Sequence, residues 1–196
     1  MAQVERLPPG QHLARGWPVQ TYGPVPSFDP ASWDFTVSGA TASGEPTRWS
    51  WPELLELPVH EVVADLHCVT RFTIPGAVWT GIPASTVLAT APPADDVTHV
   101  MVWAEHGYSS NLRLSDLNSD QALFATHRDG VALRPAHGFP LRLIVPHLYA
   151  WKGPKWVRGI EYLREDRPGF WEARGYHPRA DPWAEERYSN PDVIQL

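Results

Sequence analysis

The hydrophobic and polar positions fall into short runs, each closed by proline or glycine, and most runs have a period of two. Trp33 to Gly39 alternates and ends in glycine, which predicts a strand. Trp51 to Leu57 reads as a short helix, with Ser50 as N-cap and Pro52 in its first turn. His60 to Val69 is a strand that leads straight into Cys68, and Pro83 to Ala91 is a helix stopped by Pro92-Pro93. Val97 to Ala104 is an apolar strand, and Ser115 caps a short helix through Asp120. Ala122 to His127 and Val131 to Leu133 flank the turn signal Arg128-Asp129-Gly130. Leu141 to Val145 is a strand closed by Pro146, and the alternating run Val157 to Leu163 is another. The sum is a mixed, strand-dominated α+β domain in which helices serve as connections. Residues 1–31, rich in Pro and Gly, read as an extended N-terminal arm. Residues 32–163 form the body, and the charged, aromatic residues 164–196 form a covering arm of the same domain.

Composition sharpens this picture. The chain has 196 residues, 43% hydrophobic and 19% charged, which suits one ordered globular domain. Twenty-one prolines favour short elements and fixed turns. The net charge of −6 lacks the basic footprint of a nucleic-acid binder. No stretch is long and apolar enough to predict a transmembrane segment. Met1 to Gly16 has no secretory pattern, and with a lone cysteine this predicts a reducing, cytoplasmic setting. Of sixteen basic residues only Lys152 and Lys155 are lysines, and they lie three apart, as in a dedicated anion site.

Several chemistries are set aside by their motifs. His60-Glu61 is not followed by the second histidine of a zinc helix, and Gly107-Tyr108-Ser109-Ser110-Asn111 lacks the last glycine of a nucleophile elbow. There is no phosphate-binding glycine loop of either common type. One cysteine excludes a zinc ribbon and a four-cysteine iron–sulfur cluster. The nine histidines are dispersed.

Cys68 is therefore either a buried filler or a working thiolate. Polar Thr70 and Arg71 follow it where a core would continue apolar, and Arg71 would favour the thiolate electrostatically. The string Asp65-Leu66-His67-Cys68-Val69-Thr70-Arg71-Phe72 resembles the metal-ligand segment of the sulfite oxidase family of molybdopterin enzymes. The run from His137-Gly138-Phe139-Pro140-Leu141-Arg142 to Val145-Pro146, continued by Trp151-Lys152-Gly153-Pro154-Lys155-Trp156-Val157, resembles a second family block. That block has the form Gly-x-Pro-(Leu/Ile)-Arg-(Leu/Val)-x-(Val/Thr)-Pro, followed by a lysine-containing loop and a strand. Glu105-His106-Gly107-Tyr108-Ser109-Ser110-Asn111 is similar to the family's segment near the metal face. The tail Asp166 to His177 looks like that of short bacterial members.

The resemblance implies a sulfite-oxidase-type molybdopterin-binding fold and a molybdenum–molybdopterin cofactor, with Cys68 as the metal ligand. It implies that Arg142, the Gly153 backbone and Lys155 hold the pterin phosphate, with Lys152 nearby and His137 at a cofactor-contacting position. A guanidinium suits that role independently, because it binds phosphate in a planar, bidentate way. The open metal face would then draw on Tyr108, Arg71, His67 and His106, with Arg71 favouring an anionic substrate. The arm Gln20-Thr21-Tyr22-Gly23 lies where family members wrap the pterin. The implied activity is oxo transfer on a small substrate, with electrons passing to a separate partner. The 33 residues after Leu163 are too few for the family's immunoglobulin-like dimerisation domain. The alternatives are a noncatalytic binding domain of the same fold, with Cys68 in its core, and a carrier of the cofactor.

Overall fold

The structure, a computed structural model, describes residues 6–190. The chain begins with β1 (His12–Leu13), β2 (Asp34–Gly39), β3 (Thr47–Ser50) and α1 (Trp51–Leu55). Next come β4 (His60–His67), β5 (Phe72–Pro83) and α2 (Ala84–Thr90), then β6 (His99–Ala104), β7 (Ser109–Arg113) and α3 (Leu114–Leu117). The last strands are β8 (Leu123–Arg128), β9 (Val131–Ala132), β10 (Arg142–Ile144) and β11 (Val157–Leu163).

Two sheets organise the molecule. The first is built on the long strand β5, with β4 antiparallel along one edge and β1 and β8 sharing the other; β8 carries β9 and β10. The second has the order β3-β2-β11-β6-β7, with β11 and β2 parallel and the other neighbours antiparallel. Apolar residues of both sheets interlock between them, among them Phe35, Val37, Val102, Phe124, Leu141, Leu143 and Ile160, all essentially inaccessible to water. This shared core is what the alternating pattern specifies, since every second strand residue must reach it. A second cluster, including Cys68, Phe72, Ile74 and Trp79, lies on the first sheet.

The elements sit within a few residues of the positions expected. The α1 helix starts after Ser50, whose N–H and hydroxyl both donate to the Glu53 carboxylate at 2.8 and 2.7 Å. The α3 helix begins one residue before Ser115, and the strand expected to run to Val69 ends at His67. The sequence reading did not assign β1, β3, β5 or β7. The reason is clearest for β5, where Pro75, Gly76 and Gly81 read as strand breakers. The sheet absorbs them in bulges. Asp65 faces the Pro75–Gly76 irregularity, and its carboxylate accepts the Gly76 N–H at 2.8 Å. At Gly81 a side chain would collide with the Phe124 carbonyl of β8.

Residues 6–33 run without regular structure beyond β1, and residues 164–190 contain turns, one short 3-10 helix, Glu172–Arg174, and one β-bridge, Tyr176 to Tyr188. The outer ends of both arms, 1–5 and 191–196, lie outside the described residues. Among the described residues no helix is long and apolar enough to cross a membrane.

Candidate functional site

Both arms, the first sheet and the loops that lead into β7 and β11 contribute to one cavity of about 330 Å³. Its floor comes from the end of β4. Leu66 and Cys68 point into the cavity, and His67 between them points away, as strand alternation requires. A tight turn follows, with the Cys68 N–H donating to the Phe72 carbonyl at 2.8 Å and the Arg71 N–H to the Cys68 carbonyl at 3.0 Å. Arg71 closes it in the left-handed region (φ 76°). Cys68 is 8% exposed, is in no disulfide, and lines the cavity.

One wall is cationic. Arg142 starts β10 and is bridged to Lys155 across the loop that leads to β11. The Arg142 guanidinium is buried and donates from Nη1 to the His137 carbonyl at 3.1 Å, while its Nε has no partner. Burial lowers its pKa to about 10, against the opposing pull of Cys68 and Tyr108. The Lys155 ammonium donates to the carbonyls of Gln20 (2.5 Å) and Ala136 (2.9 Å). Burial, then the Arg142 charge beside it, lowers its pKa to about 7. Two cations held this close, one with an unpaired buried N–H, form a site built for an anion. Gly153 lines the same wall, but its N–H already donates to Ala150 (3.2 Å). Its sequence identity reflects a close pass against the Leu143 carbonyl, which a side chain would strike.

The opposite wall is aromatic. Tyr108 donates its hydroxyl proton to the Trp151 carbonyl at 2.7 Å. The Tyr176 ring packs on Trp151 and Trp171 at 5.1 and 4.9 Å. Phe170 bridges Tyr108 to Tyr22 of the N-terminal arm at 5.6 and 4.3 Å. Burial, with the Glu172 charge nearby, raises the Tyr108 pKa well above its ordinary value, so this phenol stays neutral.

The cavity gathers Cys68, Tyr108, Arg142, Gly153 and Lys155, and leaves out five other residues expected near it. Arg71 turns toward Glu185 at 3.7 Å, which removes the geometric basis for its favouring an anionic substrate. His67 is buried behind the sheet, sharing a hydrogen bond with Thr73 at 2.9 Å. His106 contacts the Pro24 carbonyl at 2.8 Å and fastens the arm. Lys152 is 1% exposed and faces away, its ammonium 2.6 Å from Glu172 and donating to two Asn111 oxygens at 2.8 Å. His137 stands one layer behind, stacked on Trp17 at 3.9 Å, and its carbonyl orients Arg142. Trp17, Gln20, Thr70, Trp151, Trp171 and Tyr176 also line the cavity. Of these only Trp17 lies outside the segments that carry the family resemblance, though none of the six was expected to line the cavity by its own side chain. The aromatic residues carry no spacing signal, because they come from distant segments joined only in the fold. Among the described residues no three His, Cys, Asp or Glu side chains cluster as a metal site.

Comparison with known proteins gives the family and the fold. Residues 22–171 match the family described as oxidoreductase molybdopterin binding domain. An uncharacterized oxidoreductase of Bacillus subtilis, YuiH, is 38% identical over 188 residues, 95% of this chain and 94% of that protein. The protein-methionine-sulfoxide reductase catalytic subunit MsrP of Gluconobacter oxydans is 28% identical, the match covering 80% of this chain and 56% of that protein. The sulfane dehydrogenase SoxCD of Paracoccus pantotrophus shares the fold, with a TM-score of 0.64 at 19% identity over 72% of this chain and 40% of that one. The chain is a member of the oxidoreductase molybdopterin-binding domain family, with the sulfite-oxidase-type fold.

Proposed function

We propose that the protein is a molybdenum-dependent oxidoreductase that moves an oxygen atom to or from a small substrate, with Cys68 as the protein's thiolate ligand to the metal. The observation that carries this reading is the meeting of Cys68, Arg142 and Lys155 in one cavity, from two separate segments of the chain. The donor set fits the cofactor: a soft sulfur suits a redox metal, and two cations suit a phosphate. The unpaired Nε of Arg142 fits as well, since a buried guanidinium N–H without an acceptor awaits one. The bound cofactor would supply a metal that changes oxidation state as oxygen is gained or lost.

The chain's own residues bind, orient and exclude water. Arg142 and Lys155 would hold the phosphate, and His137 would fix the guanidinium through its carbonyl. The Gly153 turn lets the loop pass close beneath them. Cys68 would hold the reacting end of the group on a rigid turn. Tyr108 borders the cavity as a neutral phenol; to donate to substrate it would have to release the Trp151 carbonyl. The aromatic wall keeps that side dry. Electrons would pass to a separate partner.

Pterin content tests the assignment of the anion site. Protein made in a host that synthesises the cofactor should release near-stoichiometric pterin, measured as its fluorescent oxidation product. Arg142→Met and Lys155→Met should each lose most of it. A Lys155→Met protein that folds and keeps full pterin would contradict the assignment.

A further inference from the structure

Gln20, on the N-terminal arm, reaches both parts of the site. Its backbone carbonyl accepts from the Lys155 ammonium at 2.5 Å, and its side-chain Oε1 accepts from the Cys68 thiol at 3.4 Å. Thr70, two residues past the cysteine, completes a triangle. Its hydroxyl oxygen lies 3.1 Å from the sulfur and receives the Gln20 side-chain N–H at 3.0 Å. A hydroxyl that accepts from the amide has its own proton free for the sulfur. The three contacts therefore run one way around: Gln20 amide to Thr70 oxygen, Thr70 hydroxyl to sulfur, thiol to Gln20 carbonyl oxygen. Neither Gln20 nor Thr70 is needed for the core, since both are exposed at the cavity mouth.

We infer that Gln20 and Thr70 form a polar cap that sets how strongly the Cys68 sulfur donates to a metal. This rests on the functional reading above, in which Cys68 binds as a thiolate. A thiolate has no proton to give Gln20, so that contact is lost, while the Thr70 hydroxyl, which keeps the Gln20 N–H on its oxygen, still donates to the sulfur. The Thr70 hydrogen bond, strengthened by the Gln20 N–H that polarises the hydroxyl, then withdraws electron density from the sulfur, and hydrogen bonds to ligating sulfur tune metal potentials. A weaker sulfur donor stabilises the reduced metal and raises its potential. Gln20 and Thr70 are positioning residues on this account. The shared contact to Lys155 runs through the Gln20 backbone, so a side-chain substitution leaves it in place and isolates the effect at sulfur.

The test is a redox titration of the molybdenum signal in purified, cofactor-loaded protein, with metal content measured on the same samples. Thr70→Val, which keeps the shape and removes the donor, should shift the one-electron equilibrium about tenfold toward the oxidised metal, or ~59 mV downward. Gln20→Leu should move it the same way, and Thr70→Ser should restore the wild-type value. The sulfur-to-metal charge-transfer absorption should shift in both substituted proteins and return in Thr70→Ser. Loaded Thr70→Val and Gln20→Leu proteins with unchanged potentials and unchanged absorption would overturn the cap and leave the functional reading standing. Wild-type protein without molybdenum, from a competent host, would overturn the functional reading and the cap with it.

Discussion

At the scale of single residues, Lys155 makes a sharp claim about protons. Its pKa is about 7 in the folded chain and 10.5 when unperturbed, so between those values the unfolded chain binds more protons. Stability of the cofactor-free protein should therefore rise with pH across that window, with the whole penalty present below about 7. Urea unfolding of wild-type and Lys155→Met proteins from neutral to alkaline pH measures this; the slope should be present in the first and lost in the second. Equal slopes would place the lysine in water. An anion that pairs with Lys155 restores its proton, so inorganic phosphate should bind with proton uptake above about pH 7 and weaken as pH rises. Calorimetry in buffers of contrasting ionisation enthalpy reads the uptake directly. Residue chemistry was also the most legible level of the sequence. Cys68, Arg142 and Lys155 stand in strings whose chemistry is local. Lys152 faces away from the cavity, and spacing cannot tell which of two neighbouring lysines turns inward. The answer depends on Glu172, which lies in the C-terminal arm.

At the scale of elements, the loop between β10 and β11 decides whether the site exists. It is held from outside the cavity by the Lys152–Glu172 pair, whose side chains are 1% and 3% exposed. Removing one member of a buried pair leaves an uncompensated charge and costs about 3–5 kcal/mol. Glu172→Gln and Lys152→Met should each lower unfolding free energy by an amount of that order in urea titrations. The double replacement Lys152→Met with Glu172→Leu should recover a large part of it. A loss below about 1 kcal/mol would mean that water reaches the pair. Gly153→Ala should also destabilise the loop, because the new side chain meets the Leu143 carbonyl, and should reduce pterin retention more than the Gly44→Ala control. Gly44, like Gly153, is a loop residue; its positive φ (77°) makes alanine strained there too, but it lies away from the cavity and no neighbouring atom meets the added side chain. The alternating strands were readable from their pattern, as β2 and β11 illustrate. The β5 strand was not, since its proline and glycines are tolerated only through bulges that β4 and β8 accommodate.

At the scale of the whole molecule, the two arms are part of the site. The N-terminal arm supplies Trp17, Gln20 and Tyr22, and the C-terminal arm supplies Trp171 and Tyr176. Trp17 anchors the first arm by stacking on His137 and lying under the Arg128 guanidinium at 4.4 Å. Binding of the cofactor should therefore protect the arm. Trypsin should cut after Arg15 more slowly in loaded protein than in cofactor-free protein, with time courses followed by intact mass. Equal rates would mean the arm does not sense the site. The sequence marked both arms by composition and by resemblance, which set Gln20–Gly23 around the cofactor, but which aromatic rings of the arms form the wall is decided only when distant segments meet.

The central claim is that Cys68 holds molybdenum in this cavity. The direct measurement is metal content by mass spectrometry of wild-type and Cys68→Ala proteins from a host that makes the cofactor, each checked for folding by circular dichroism. The account predicts near-stoichiometric molybdenum in the wild type and its loss in a folded Cys68→Ala protein. Molybdenum retained in full without the cysteine, or absent from folded wild-type protein, would contradict it.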